Sequence, residues 1–204
     1  MKATSDLTHG IHGLLCWGVT WDSQLNLSMS FGEPTLRIRE PYVSKSRSPR
    51  LREHASYRQV RIRGKWWLWI FCARWKLTIS HSMAVTGSSP QWKRNMAMAR
   101  LDGQRLTGVA IDPLTGATEF AFDLGASLQV RRLVADDSDI WTLYKPNGYV
   151  LGIRGDGTCT HAKGTTPGDK LKATKIKSPT RRQSQRPQPS RLVLPNLFSN
   201  ETSD

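Results

Sequence analysis

The chain has 204 residues, 38% of them hydrophobic, and carries 30 Lys and Arg against 16 Asp and Glu, for a formal charge of +14. The length suits one domain or two small ones, and the apolar content approaches that of ordinary globular proteins, which excludes a mainly disordered chain, a collagen and a membrane bundle. The longest apolar run, Trp66 to Ala73, falls far short of the ~20 residues a spanning helix needs.

Residues 1–12 read as a flexible N-terminus, with His9 and His12 where the apolar core of a secretory leader would lie. A first β-rich half is expected over 13–88. In it Leu25, Leu27, Met29 and Phe31 alternate with polar residues, and so do Leu36 and Ile38, the signature of strands with one buried face. Gly32-Glu33-Pro34 reads as the break between those two strands. Residues 41–57 form a basic insertion whose Ser/Arg/Pro composition, from Ser44 to Arg50, predicts disorder. The strand Trp66-Trp67-Leu68-Trp69-Ile70-Phe71 is apolar on both faces. Two readings stay open for it: a central strand buried on both sides, or a strand whose Trp67, Trp69 and Phe71 line a binding surface.

A linking helix is expected within 89–102, with Ser89 as N-cap, Pro90 at its first position and Gly103 ending it. Its spacing points Trp92, Met96, Ala99 and Arg100 at a sheet. A second β-rich half follows over 103–161, where Phe120 and Phe122, then Leu128 and Val130, alternate with polar residues. Asn147-Gly148 and Asp156-Gly157 supply the positive φ of tight hairpins. Residues 162–204 read as a disordered basic tail, interrupted by an apolar island at Leu192–Phe198.

The two halves align weakly with each other. Gly13–Asp22 matches Gly103–Asp112, with Gly18-Val19 over Gly108-Val109, and Trp67–Ile79 lies over Trp141–Ile153 without a gap. The fold expected is therefore mainly β (α+β): two pseudo-repeated antiparallel meanders of about five strands each, one short helix between them and a disordered C-terminal tail. Gly64–Ile70, Leu101–Leu106, Phe122–Gly125 and Arg154–Thr158 resemble a set of small bacterial proteins of unknown function built of two β-rich halves around a short helix. The resemblance spans about Gly13 to His161 and implies that fold, but no activity and no functional residue.

Charge is unevenly placed. Arg37 to Lys76 holds twelve basic and two acidic residues, a net of +10, whereas Leu101 to His161 is at −3 and the tail from Ala162 at +6. The candidate binding surface is Arg58, Arg61, Arg63, Lys65, Trp67, Trp69, Arg74 and Lys76, since cations beside aromatic rings are what single-stranded nucleic acid engages. Of these, Arg61, Arg63 and Lys65 alternate with Ile62 and so share one strand face. Catalytic, cofactor and metal sites are not expected: no nucleophile elbow, P-loop, dinucleotide fingerprint or metalloprotease helix occurs. His9-x-x-His12, Cys159-x-His161 and Asp136-Asp137-x-Asp139 are each too sparse for a metal site. The three cysteines, odd in number and without a C-x-x-C pair, fit a reducing cytoplasm. The function expected is a non-enzymatic cytoplasmic protein that binds another protein, of immunity or accessory type. The alternative is a nucleic-acid-binding protein that uses residues 37–76 and the tail. The oligomeric state and the identity of the partner are left open.

Overall fold

The computed structural model describes residues 7–176 apart from 23, 25, 81–82 and 134–137. The expected tail beyond 176, the apolar island at Leu192–Phe198, Leu25, His81, Asp136 and Asp137 lie outside the described residues. The chain is mainly β, and its described residues form two antiparallel sheets with the helices α1 (Pro49–Ala55) and α2 (Gln91–Leu101). The first five strands are β1 (Cys16–Trp21), β2 (Leu27–Arg39), β3 (Gln59–Ile70), β4 (Ala73–Ile79) and β5 (Met83–Thr86). After the helix come β6 (Leu106–Ile111), β7 (Thr118–Phe122), β8 (Ser127–Arg132), β9 (Asp139–Tyr144), β10 (Tyr149–Arg154), β11 (Thr158–Lys163) and β12 (Ala173–Lys175).

The seven-stranded sheet runs β1-β2-β3-β9-β10-β11-β12 and the five-stranded sheet β5-β4-β8-β7-β6. Each therefore mixes strands from both sequence halves. The first half lays down β1-β2-β3 in one sheet and then crosses into the other at Phe71-Cys72; the second lays down β6-β7-β8 and crosses in the opposite sense before β9. The strands that the gap-free alignment superposes consequently sit in unlike settings: β3 and β4 lie in different sheets, whereas β9 and β10 form a hairpin.

One core joins the sheets. Leu27, Met29, Phe31, Leu68, Ile70, Trp141 and Leu143 from one meet Trp75, Leu77, Phe120 and Leu128 from the other. The Phe120 and Trp141 rings meet edge-on with centroids 5.5 Å apart, and the Trp141 Nε1–H donates to Thr118 Oγ1 at 2.8 Å, which satisfies the buried indole. The edge strands close at one corner: Gly13 N–H donates to the Leu106 carbonyl at 2.7 Å and Gly103 N–H to the Cys16 carbonyl at 2.7 Å.

Several expectations change. Residues 27–39 are one strand, not two. Gly32 (φ +73°) and Glu33 stand opposite the single residue Lys65, so the Gly-Glu-Pro break is a bulge within β2. The 41–57 insertion holds α1, anchored by buried Ala55, whose carbonyl accepts from Tyr42 N–H at 2.9 Å; Arg52 Nη1 further ties the loop by donating to the Ser46 and Arg47 carbonyls. Residues 9–11 are anchored as well, by fully buried Ile11. The linking helix buries Ala97, Met98 and Leu101 against β1, β4 and β5 and leaves Trp92 60% exposed, so its inner face is turned from the expected one. Pro90 is its N-cap, and the Ser89 hydroxyl instead accepts from Thr86 N–H at 3.0 Å. Residues 162–176 are built rather than disordered: β11 extends to Lys163 and pairs with β12. No helix among the described residues is long and apolar enough to cross a membrane.

Candidate nucleic-acid interface

Strand β3 divides its side chains by parity. Its even positions Trp66, Leu68 and Ile70 pair with Phe31, Met29 and Leu27 across β2 and face the core. Its odd positions Arg61, Arg63, Lys65, Trp67 and Trp69 all lie on the opposite, outer face of the seven-stranded sheet. The helix α2 packs elsewhere, against β1, β4 and β5, and Trp67, Trp69 and Phe71 are half-buried rather than enclosed.

The rings form a row. Trp67 and Trp69 lie 6.0 Å apart at an interplanar angle of 10°, Trp69 and Phe71 4.4 Å apart at 27°. From the neighbouring strand, Tyr144 reaches 4.7 Å from Trp67, its register partner. Farther across the sheet Tyr149 meets His161 at 5.1 Å, but on the parity of Leu151 and Ile153 and so outside this row. At the head of the row the Arg63 guanidinium lies 3.4 Å from the Trp67 ring centroid, a cation–π contact.

Cations gather at the same end. The bulge at Gly32 keeps the outer parity of β2 in phase with β3, so Arg37 stands directly opposite Arg61, with Thr35 opposite Arg63. Burial against the rings lowers the Arg63 pKa, and the charges of Arg61 and Arg37 push the same way. Among the described residues, none of these three arginines has a carboxylate in ion-pair range; the nearby acid Glu33 is taken by Lys65 at 2.5 Å. Such a cluster gains from an added anion, because repulsion among the cations is relieved and no existing ion pair is broken.

A cleft of about 370 Å³ opens where the two sets meet, lined by Arg37, Arg63, Lys65, Trp67, Tyr144 and Tyr149. Beyond it, on the outer face, Asp139 and Arg154 approach to 3.5 Å over Gly152, where a Cβ would come within 2.6 Å of Asp139 Oδ2.

The expected surface is thus brought together in part. Arg61, Arg63, Lys65, Trp67 and Trp69 share the outer face. Arg58 lies before β3 and is paired with Glu40 at 2.9 Å. Arg74 and Lys76 are exposed on β4, in the other sheet, where Arg74 faces Arg131. They separate from the set because the chain changes sheets at Cys72, which adopts φ +51°. Arg37 and Tyr144 belong to the site and were not expected in it. Arg37 falls within the +10 segment, so its charge was visible; Tyr144 arrives through the β3–β9 pairing, which no local pattern encodes. His9 and His12 stack at 6.1 Å, and among the described residues no three His, Cys, Asp or Glu are grouped to hold a metal ion.

No protein-family model matches the chain, and neither a curated protein nor a solved structure matches it. No comparison therefore assigns a role to any of these residues, and the candidate interface rests on its own geometry.

Proposed function

We propose that the protein binds nucleic acid through the outer face of the seven-stranded sheet. The observation that carries this reading is the placement of Arg37, Arg61 and Arg63, without carboxylate partners among the described residues, at the head of the Trp67–Trp69–Phe71 row. Phosphates meet the guanidinium groups and release condensed counterions, while the rings offer apolar surface to bases. The free thiols of Cys16, Cys72 and Cys159 suit a reducing compartment such as the cytoplasm. Fluorescence anisotropy of labelled oligonucleotides with the full chain tests the reading. Affinity should fall steeply with salt. Replacing Arg37, Arg61 and Arg63 together with Gln should weaken binding and flatten the salt slope by about two on logarithmic axes, at about 0.7 per phosphate contact on a single strand. A triple variant that binds as the parent does removes this face as the reader and leaves the basic residues beyond 176.

A protein partner is the second reading, and a different observation favours it. Past the bulge, β2 and β3 continue as a two-stranded ribbon, and its core-side face, Leu36, Ile38, Val60 and Ile62, is 58–65% exposed. An apolar face on a lone ribbon gains stability when covered. Sedimentation of the full chain and of Ile62→Asp tests whether a second copy is the cover: a concentration-dependent dimer lost in the variant supports it, and a monomer throughout rejects it.

A further inference from the structure

Resting on the nucleic-acid reading, we infer that the cleft at Trp67 and Tyr144 receives an unpaired base, so that the face selects single strands over duplex. Cations alone do not make that distinction, since both forms present phosphates. The rings do. In a duplex each base has both faces covered by stacking, so the groove edges and the sugar-phosphate rail are open to a protein but no ring can stack on a base. A single strand can turn a base outward onto an aromatic side chain.

The cleft has the dimensions and the chemistry for this. Its volume of about 370 Å³ lies in the ~300–1,000 Å³ range of small-ligand pockets, at the lower end, where one nucleotide unit belongs. Aromatic rings stand on two adjoining strands, Trp67 on β3 and Tyr144 on β9. Arg37 and Arg63 line the same cleft as these rings. A nucleotide has the complementary parts: a planar apolar group joined through a sugar to an anion. Arg63 already lies 3.4 Å from the Trp67 ring centroid, so an entering base and its phosphate compete with an existing cation–π contact and replace it by a charge-assisted hydrogen bond to the same guanidinium. From the cleft the rest of the strand follows the row toward Trp69 and Phe71, where further bases find ring surface.

The test uses the full chain and three labelled probes of equal length at moderate salt: a single strand of mixed sequence, its duplex, and an abasic single strand that keeps the phosphates and lacks the bases. The inference expects the mixed single strand to bind at least about tenfold tighter than either of the others, as one stacked base contributes ~1–3 kcal/mol on replacement of its ring. Tyr144→Leu should remove most of that advantage; circular dichroism of the variant guards against loss of fold, and Tyr144→Phe, which keeps the ring, should retain the preference. Equal binding of all three probes overturns the inference while the phosphate-binding reading stands. No salt-sensitive binding of any probe overturns both.

Discussion

Trp66 and Trp67 are neighbours in the chain and opposites in the fold. Trp66 packs against the core beside Phe31 and closes so tightly on the first turn of the chain that a Cβ at Gly10 would come within 2.5 Å of its ring. Trp67, one residue later, lies under the Arg63 guanidinium on the outer face. The comparison extends along β3: Leu68 and Ile70 are fully buried, while Trp69 and Arg63 are half-buried among rings and cations. The same strand thus packs the core with one face and leaves the other, on the proposed function, to a ligand. Aromatic content alone does not tell the two apart.

The largest effect separates the faces directly. Leu68→Ala removes a side chain with no exposed surface from the middle of the core and should cost about 2–5 kcal/mol in urea denaturation. The sites being on opposite faces, nucleic-acid affinity of the folded fraction should not change. Trp67→Leu makes the complementary change. It removes ring–ring and cation–π contacts at a half-covered site, so its stability cost should be about 0.5–1.5 kcal/mol, while affinity for single strands falls. If Leu68→Ala and Trp67→Leu lose stability equally, the outer rings are core by another name and the comparison collapses. A smaller contrast lies along one face: Ile62 has the core-side parity of Ile70 but stands on the ribbon with 65% of its surface exposed. Ile62→Ser should fall within about 0.5 kcal/mol of the parent, where a comparable change at Ile70 would be severe. A large loss at Ile62 would mean the ribbon face is covered in solution.

How far the sequence discloses this follows from the range of each interaction. Period-two alternation is local, so the strands around Met29, Phe120, Leu128 and Leu151 are legible, as are the hairpins at Gly148 (φ +78°) and Gly157 (φ +77°). The shared outer face of Arg61, Arg63 and Lys65 follows from parity alone. Pairing between strands distant in sequence is not local. Nothing near Trp67 announces Tyr144, and the sharing of each sheet between the two halves is set by crossovers at Cys72 and after Arg132. Gly32 shows a further limit: a glycine before Glu-Pro reads equally as a chain break or a bulge, and the choice is made by Lys65 on the partner strand. In α2 the apolar residues Trp92, Met96, Ala97, Met98 and Leu101 are spread over more than one stripe, so burial is decided by which stripe meets β1, β4 and β5.

The smallest effect is electrostatic and probes the outer face without touching the rings. Asp139 is held by burial above its ordinary pKa, and Arg154 opposes the shift without cancelling it. The geometry explains the imbalance, since a separation of 3.5 Å is long against the ~2.7–2.9 Å of a strong charge-assisted contact. With the folded pKa above the unfolded one, the folded state binds more protons in the interval between them. The Asp139 contribution to stability is therefore most favourable below the unfolded value, near ~3.9, and declines as pH rises through the folded value. Asp139→Asn removes that titration. All other carboxylates being common to both proteins, the melting-temperature difference between variant and parent should move in favour of the variant as pH is raised from acid to neutral, and then level off. A difference that moves the other way would mean that Arg154 outweighs burial and that Asp139 and Arg154 form a stabilising pair. In that case the outer face carries a structural ion pair beside its ligand-binding row, and the division of labour between the two faces of the sheet is less complete than β3 implies.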